Sequence, residues 1–321
     1  MNHLVTGGLG FLGSHIVENL LANTIDNIDI VDNCQSNVIT ESFFNQNQVT
    51  IIKQDINTFV TSKKYDHIYH CASVVGPVGV LKYSGQIGRR IIEETSNVMK
   101  LCIETGAKLL YVSTSELYGP SPKEHLAETD NKIVISDSSA RQEYAVGKLL
   151  AEISGLNTSS VLDLKINIIR PFNIIGLRQS AIPGGFVLPR FINAALRNEP
   201  LTVYYDGKMV RSFTNVKDIV SGIMLIQNSD VNREVFNVGN ELNKITILDL
   251  AKMVLKLSGS KSEIQFTDPV KLHGSAYKEA FDKVADSRKI RVDLGWYPKF
   301  SIQETVIECL EYERKKFLNA K

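Results

Sequence analysis

Apolar and polar positions along this chain fall into two periodicities. Short apolar runs at His3-Leu4-Val5, Asn27 to Val31, Val49 to Ile52, Asp66 to Ala72, Lys108 to Val112 and Leu164 to Arg170 read as strands. The run at Lys108 to Val112 is continuous rather than alternating, the pattern of a strand buried on both faces. Between the runs lie apolar helical stretches from Ser14 to Leu21, from about Gly88 to Thr105 and from about Arg141 to Gly155. Repeated strand, helix, strand units imply parallel pairing through right-handed crossovers. Asn33 to Gln48 is polar and irregular, a connection with one helical turn, and Pro120 to Ser139 is rich in Pro, Glu and Asp. After Arg170 the regular alternation stops. Ile182-Pro183-Gly184-Gly185 reads as a flexible loop, followed by a helix over Val187 to Arg197, a strand at Leu201 to Val203, and helices near 217–228, 246–257 and 302–317. The pattern predicts an α/β fold: a doubly wound parallel sheet over residues 1–172 and a smaller mixed α/β lobe over 173–321, with some later segments returning to the sheet.

Composition narrows the partners. The chain has 321 residues, 43% of them hydrophobic and 22% charged, enough for a core of normal size and longer than a usual single domain. A net charge of +1, with no Lys/Arg block, argues against nucleic acid or an anionic membrane as the main partner. Cys34, Cys71, Cys102 and Cys309 are scattered, with no C-x-x-C pair and no zinc spacing, so neither structural disulfides nor a metal site is expected. There is no signal-like leader and no apolar run near 18 residues, and a cytoplasmic location is the expectation.

The chemistry begins at Thr6-Gly7-Gly8-Leu9-Gly10-Phe11-Leu12-Gly13, between the first strand and the first helix. Gly8, Gly10 and Gly13 fit the G-x-G-x-x-G spacing, which permits a tight turn, lets backbone approach a pyrophosphate and lets the helix pack on the strand. The helix N-terminus supplies free N–H groups and positive potential for the phosphates. The second strand ends in Asp32, about twenty residues on, where a carboxylate accepts hydrogen bonds from an adenosine ribose. A dinucleotide is therefore expected, and Asp32, with no Arg in Asn33 to Asn37, favours NAD over NADP.

Tyr144 and Lys148 stand four residues apart on one helix face. A neighbouring ammonium favours phenolate, which lets a tyrosine serve as a base nearer neutrality. Ser113-Thr114-Ser115-Glu116 follows a strand end, where ligands collect in open α/β sheets, and the Thr114 hydroxyl is placed to orient a sugar oxygen toward Tyr144.

These residues resemble the extended short-chain dehydrogenase/reductases that act on nucleotide sugars, and the resemblance covers nearly the whole chain. TGGLGFLGSH, DIVDN, Asp55-Ile56, HCAS, STSELYG, YAVGK, RPFNIIG, NEPLTVYYDG, RSFTNVKD and NVGN follow in the family's order. The resemblance implies a Rossmann sheet and tightly bound NAD, contacted by Gly7, Gly10, Phe11, Leu12, Gly13, Asp32, Asn33, Asp55, Ile56, Ala72, Tyr144, Lys148 and Pro171. It implies a nucleotide-diphosphate sugar, UDP- or GDP-linked, whose C4 hydroxyl gives its proton to Tyr144 and its hydride to NAD, leaving a 4-keto sugar. Thr114 would orient that hydroxyl; Asn173, Leu188 and Arg211 would hold the diphosphate. A homodimer through the helices near 88–105 and 141–155 is also implied.

The next step names the enzyme. Thr114-Ser115-Glu116 resembles the version in UDP-glucuronate decarboxylases and GDP-mannose 4,6-dehydratases, which makes Glu116 the second acid/base, with Ser115 assisting. Arg141, which touches substrate or braces its loop, also resembles the decarboxylase pattern. Dehydration or release at the 4-keto stage is the first expectation, with decarboxylation and 4-epimerisation as alternatives and a non-catalytic dinucleotide sensor as a distant one. The chain departs from the family at Glu94-Thr95-Ser96-Asn97-Val98, at the loop Val74 to Gly79, and at Lys283-Val284-Ala285-Asp286, where Lys283 replaces an arginine expected to meet the diphosphate.

Overall fold

The structure is a computed structural model describing residues 1–36, 38–181 and 185–319. Seven strands form one sheet: β1 (Asn2–Thr6), β2 (Asn27–Asp32), β3 (Val49–Lys53), β4 (His67–His70), β5 (Lys108–Val112), β6 (Ile166–Pro171) and β7 (Val235–Val238). Their spatial order is β7-β6-β5-β4-β1-β2-β3, every neighbouring pair is parallel, and the direction of winding reverses between β1 and β4. This is the doubly wound sheet expected from the alternation of elements, with its switch point at β1/β4.

Helices cover both faces, so neighbouring residues of a strand enter different cores. Leu4, Leu109 and Ile168 face the helices Ile87–Thr105 and Ala140–Leu162. Val5, Leu110 and Ile169 face Phe11–Asn23 and Val216–Asn228. A third core joins the helices Val187–Arg197, Ile247–Ser258 and Ile302–Asn319 to the parallel pair Leu201–Tyr204 and Ile264–Thr267. Among the described residues no helix is long and apolar enough to cross a membrane.

Three local expectations are corrected. The helix expected to end near Gly155 runs to Leu162, because Gly155 is a packing residue: a Cβ there would stand 2.7 Å from the Ile166 side chain and 2.9 Å from that of Met99. The helix stops instead at Asp163, whose φ of 53° lies in the left-handed region. The Val74 to Gly79 stretch, read as loop, contains the start of a short helix, Pro77–Lys82, with Pro in its first turn. The edge strand β7 comes from the C-terminal half and was not singled out, because four residues carry little periodicity. Of the expected loop at Ile182 to Gly185, the first three residues lie outside the described residues.

Candidate active site

The parallel strands place the ends of β1, β2, β4, β5 and β6 along one edge of the sheet. At the end of β1 the chain turns at Gly7, with φ +68°, and the Gly7 N–H donates to Val31 O at 2.8 Å. A Cβ on Gly7 would lie 2.8 Å from Ala72 N; one on Gly13 would lie 2.8 Å from both the Gly7 carbonyl carbon and Gly8 Cα, and closer still to the Gly7 oxygen. The left-handed residue is thus Gly7, not Gly8, whose role is to clear the Ile30 side chain on β2. Gly10 caps the Phe11–Asn23 helix without a side-chain bond, and no acidic residue sits in its first turn, so Phe11, Leu12 and Gly13 leave N–H groups for an anion. The Asp32 carboxylate is fixed beside this turn, accepting from Leu9 N at 3.0 Å and Cys34 N at 2.9 Å. A glycine cradle that a Cβ would fill, an uncapped helix start and a carboxylate at the next strand end together fit a dinucleotide.

The neighbouring groups support the same edge. The Thr6 hydroxyl accepts from Ala72 N at 3.2 Å and bonds His70 Nδ1 at 2.8 Å. Asn33 donates to Asp55 at 3.3 Å, and Asn97 donates to the Ile56 carbonyl at 2.5 Å, tying the turn after β3 to the Ile87–Thr105 helix. Pro171 closes β6.

Thr114, Ser115 and Glu116 follow β5; the Thr114 hydroxyl accepts from Glu116 N at 3.2 Å, which starts a short 3-10 turn. Tyr144 and Lys148 are both buried on the Ala140–Leu162 helix. The Lys148 ammonium donates to the Val112 carbonyl at 2.9 Å and lies 4.9 Å from the Tyr111 ring centre. Burial brings Lys148 down to about 8, with Glu94 opposing most strongly. Burial pushes the Tyr144 phenol above its ordinary range, and the nearby Thr114 hydroxyl opposes that rise; among the surrounding charges Glu116 raises it further and Arg141 lowers it.

Glu116 is the most constrained group of the site. Its two oxygens are held by Lys283 and, at 2.7 Å, by Arg141, whose Nε also donates to the Lys278 carbonyl at 3.0 Å. Burial alone would push this carboxyl up; the two cations outweigh it and hold Glu116 well below the ordinary carboxylate range. Lys283 thus sits on Glu116, and a bridge links its backbone to that of Arg211. Buried Arg211 donates to Val210 O at 2.8 Å, Ala280 O at 2.8 Å, Asp282 at 3.1 Å and Glu279 at 3.2 Å. Asn173, with φ 39°, donates to Ser212 O at 3.1 Å, next to Arg211. Leu188 stands apart: its side chain fills the third core, and only its backbone, at the second position of an uncapped helix, faces a ligand role. Glu279 and Asp282 act on the site through Arg211 without any motif to mark them in the sequence.

A family model described as "NAD dependent epimerase/dehydratase family" matches residues 3–239. The chain is 30% identical over 316 residues to a UDP-N-acetyl-alpha-D-glucosaminuronate decarboxylase of Bacillus cytotoxicus, covering 97% of each. It is 32% identical to UDP-glucuronic acid decarboxylase 4 of Arabidopsis thaliana, covering 94% of this chain and 66% of that one. Among solved structures it is similar to a UDP-glucose 4-epimerase of Thermotoga maritima, with a TM-score of 0.88 and 26% identity, covering 99% of this chain and 100% of the other.

Proposed function

Because this chain belongs to the NAD-dependent epimerase/dehydratase family, we propose that it oxidises the C4 hydroxyl of a nucleotide-diphosphate sugar acid and releases CO₂ from C5. The observation that carries this reading is the pair of cations, Arg141 and Lys283, converging on a carboxylate two residues after Thr114. A sugar carboxylate has the chemistry those cations already bind. Similarity to two uronate decarboxylases over nearly the whole chain supports it.

In this reading Gly7, Gly10, Phe11, Leu12 and Gly13 hold the pyrophosphate of NAD, Asp32 and Asn33 its adenosine ribose, and Asp55 and Ile56 its adenine. Ala72 and Pro171 border the nicotinamide, and Lys148 holds its ribose. NAD supplies a two-electron acceptor for C4 and returns the electrons at the end. Thr114 orients the C4 hydroxyl and Tyr144 takes its proton. Asn173, the Leu188 N–H and Arg211 hold the diphosphate, which exchanges with Glu279 and Asp282 at Arg211, while Arg141 and Lys283, still paired with Glu116, share their remaining N–H groups with the sugar carboxylate. Once C4 is a ketone that carboxylate belongs to a β-keto acid. The C5–C6 bond breaks, its electron pair enters the C4 carbonyl as an enolate, CO₂ leaves, and C5 takes a proton.

Dehydration or release at the 4-keto stage was the first expectation from sequence, with Glu116 as the base at C5 in a dehydratase. A carboxylate held by two cations is a weak base, so decarboxylation, which needs none at C5, moves ahead of it. A homodimer belongs to the same proposal, supported by exposed Val146, Leu150 and Ile153 on the outer face of the Ala140–Leu162 helix, as does the division of labour near residue 172.

The test is product mass after incubation with UDP-, GDP-, dTDP- and CDP-sugars and their uronic acids. Loss of CO₂ from a uronic acid is expected. Loss of water, loss of two hydrogens or an epimer of unchanged mass would replace decarboxylation by its alternatives, and silence across the panel would leave a dinucleotide sensor.

A further inference from the structure

We propose that the segment from Gly274 to Asp282 is a strap across the diphosphate end of the site, in which Glu279 and Asp282 hold Arg211 until a ligand of matching charge displaces them. The two carboxylates are then an internal competitor that sets which ligands enter. This rests on the reading of Arg211 as a diphosphate-binding residue and adds the gate through which that ligand passes.

The chain is tied down on either side of the strap. Ile264–Thr267 pairs with Leu201–Tyr204 before it, and Val284–Ala285 pairs with His125–Leu126 after it. The short helix Pro269–His273 ends at Gly274, whose φ of +83° turns the chain into a conformation that L side chains rarely adopt. From there the strap lies on residues of the site. The Tyr277 ring packs on His273 at 4.9 Å and edge-on to Tyr204 at 6.0 Å, and the Tyr204 hydroxyl bonds His273 Nε2 at 2.8 Å. The Tyr277 hydroxyl donates to one Glu279 oxygen at 2.8 Å; the other oxygen accepts from Arg211 at 3.2 Å and from Ala280 N at 3.0 Å. The Lys278 carbonyl accepts from Arg141 at 3.0 Å, and Asp282 accepts from Val210 N at 2.9 Å.

Both terminal nitrogens of Arg211 are fully engaged. One donates to Val210 O and Asp282, the other to Glu279 and Ala280 O, so their hydrogens all have acceptors, and only the Val210 carbonyl lies outside the strap. A diphosphate reaches these N–H groups once the strap lets go. Burial decides which side yields: the Arg211 side chain is 7% exposed, against 21% for Glu279 and 61% for Asp282. The carboxylates stand at the rim and turn into water at little cost. The guanidinium, abandoned where it is, would be a buried charge without compensation. The strap therefore leaves as another anion arrives, and a ligand uncharged at that point does not replace it. Affinity for the diphosphate is reduced by the fraction of molecules in which Arg211 is still held.

The test reads binding rather than turnover. UDP and GDP are titrated by calorimetry into the wild type, the double variant Glu279→Gln with Asp282→Asn, and Arg211→Met. The double variant should bind whichever nucleotide the wild type binds about tenfold more tightly, and Arg211→Met at least about tenfold more weakly. Hydrogen exchange in the wild type gives a second reading: amides of residues 274–282 should exchange at least about threefold faster when that nucleotide is saturating. An affinity unchanged or lowered in the double variant overturns the proposal. So does a gain in affinity without faster exchange in the wild type, because removing two negative charges attracts an anion by itself. Should the double variant not fold, the wild-type exchange decides alone. Should Arg211→Met bind as tightly as the wild type, or neither nucleotide bind at all, the diphosphate reading fails and the strap with it. A loss in Arg211→Met with no gain in the double variant strikes the strap alone.

Discussion

Replacing Glu116 by glutamine keeps the shape of the side chain and removes its charge. Lys283, 5% exposed, and Arg141, 19% exposed, would then face each other with no anion between them. Breaking a buried pair by deleting one partner costs about 3–5 kcal/mol, because a charge is left uncompensated. Arg141 keeps the Lys278 carbonyl and the new amide keeps one acceptor oxygen, so the low end applies, about 3 kcal/mol. That is a large share of a stability of about 5–15 kcal/mol. With a urea dependence of about 3 kcal/mol per molar, the unfolding midpoint followed by circular dichroism should fall by about 1 M. Lys283→Met added to Glu116→Gln removes the orphaned ammonium, and the double variant should regain part of the loss. A midpoint within about 0.3 M of wild type, or a double variant less stable than the single one, would refute the account of Glu116 as an anion clamped by two cations.

Gly13→Ala forces a methyl against the Gly7 carbonyl and should cost about 1–3 kcal/mol while abolishing NAD binding by calorimetry; retained affinity would contradict the close packing of the turn. Tyr144→Phe should retain NAD and lose turnover by at least about 100-fold, and a variant that still works would remove Tyr144 as the base. Burial brings His70 down to about 3 from an ordinary value of 6.5, so it stays neutral in the fold and gains its proton only on unfolding. Its contribution is complete above pH 6.5 and falls as the pH drops toward 3, by about 2 kcal/mol at pH 5. The loss of stability between pH 7.5 and 5 should therefore be smaller in His70→Gln by about that amount, and equal slopes by thermal unfolding would show that His70 is not held neutral.

Much of the cofactor edge was legible because its signals are local. A glycine turn between a strand and a helix, and an acid at the next strand end, occupy short windows, and their spacing carries the geometry. The spacing does not say which glycine turns the chain: Gly8, Gly10 and Gly13 satisfy the pattern, and the left-handed backbone belongs to Gly7. Tyr144 and Lys148 were legible for the same reason, being one helical turn apart. What Lys148 touches was not, because Val112 reaches it from a strand that the sequence does not place beside it.

The sequence by itself determined the order of strands and helices, and from it the parallel sheet, the edge proposed to take the dinucleotide and the helix that carries the phenol. Apolar runs and glycines act within a few residues, so the linear order is enough to read them. Only the tertiary structure decided which charges meet. Lys283 reaches Glu116 across 167 residues of chain, and Arg211 takes Glu279 and Asp282 from a segment without a motif. An ion pair depends on distance through space, and that distance exists only after the later part of the chain has folded back over the ends of the strands.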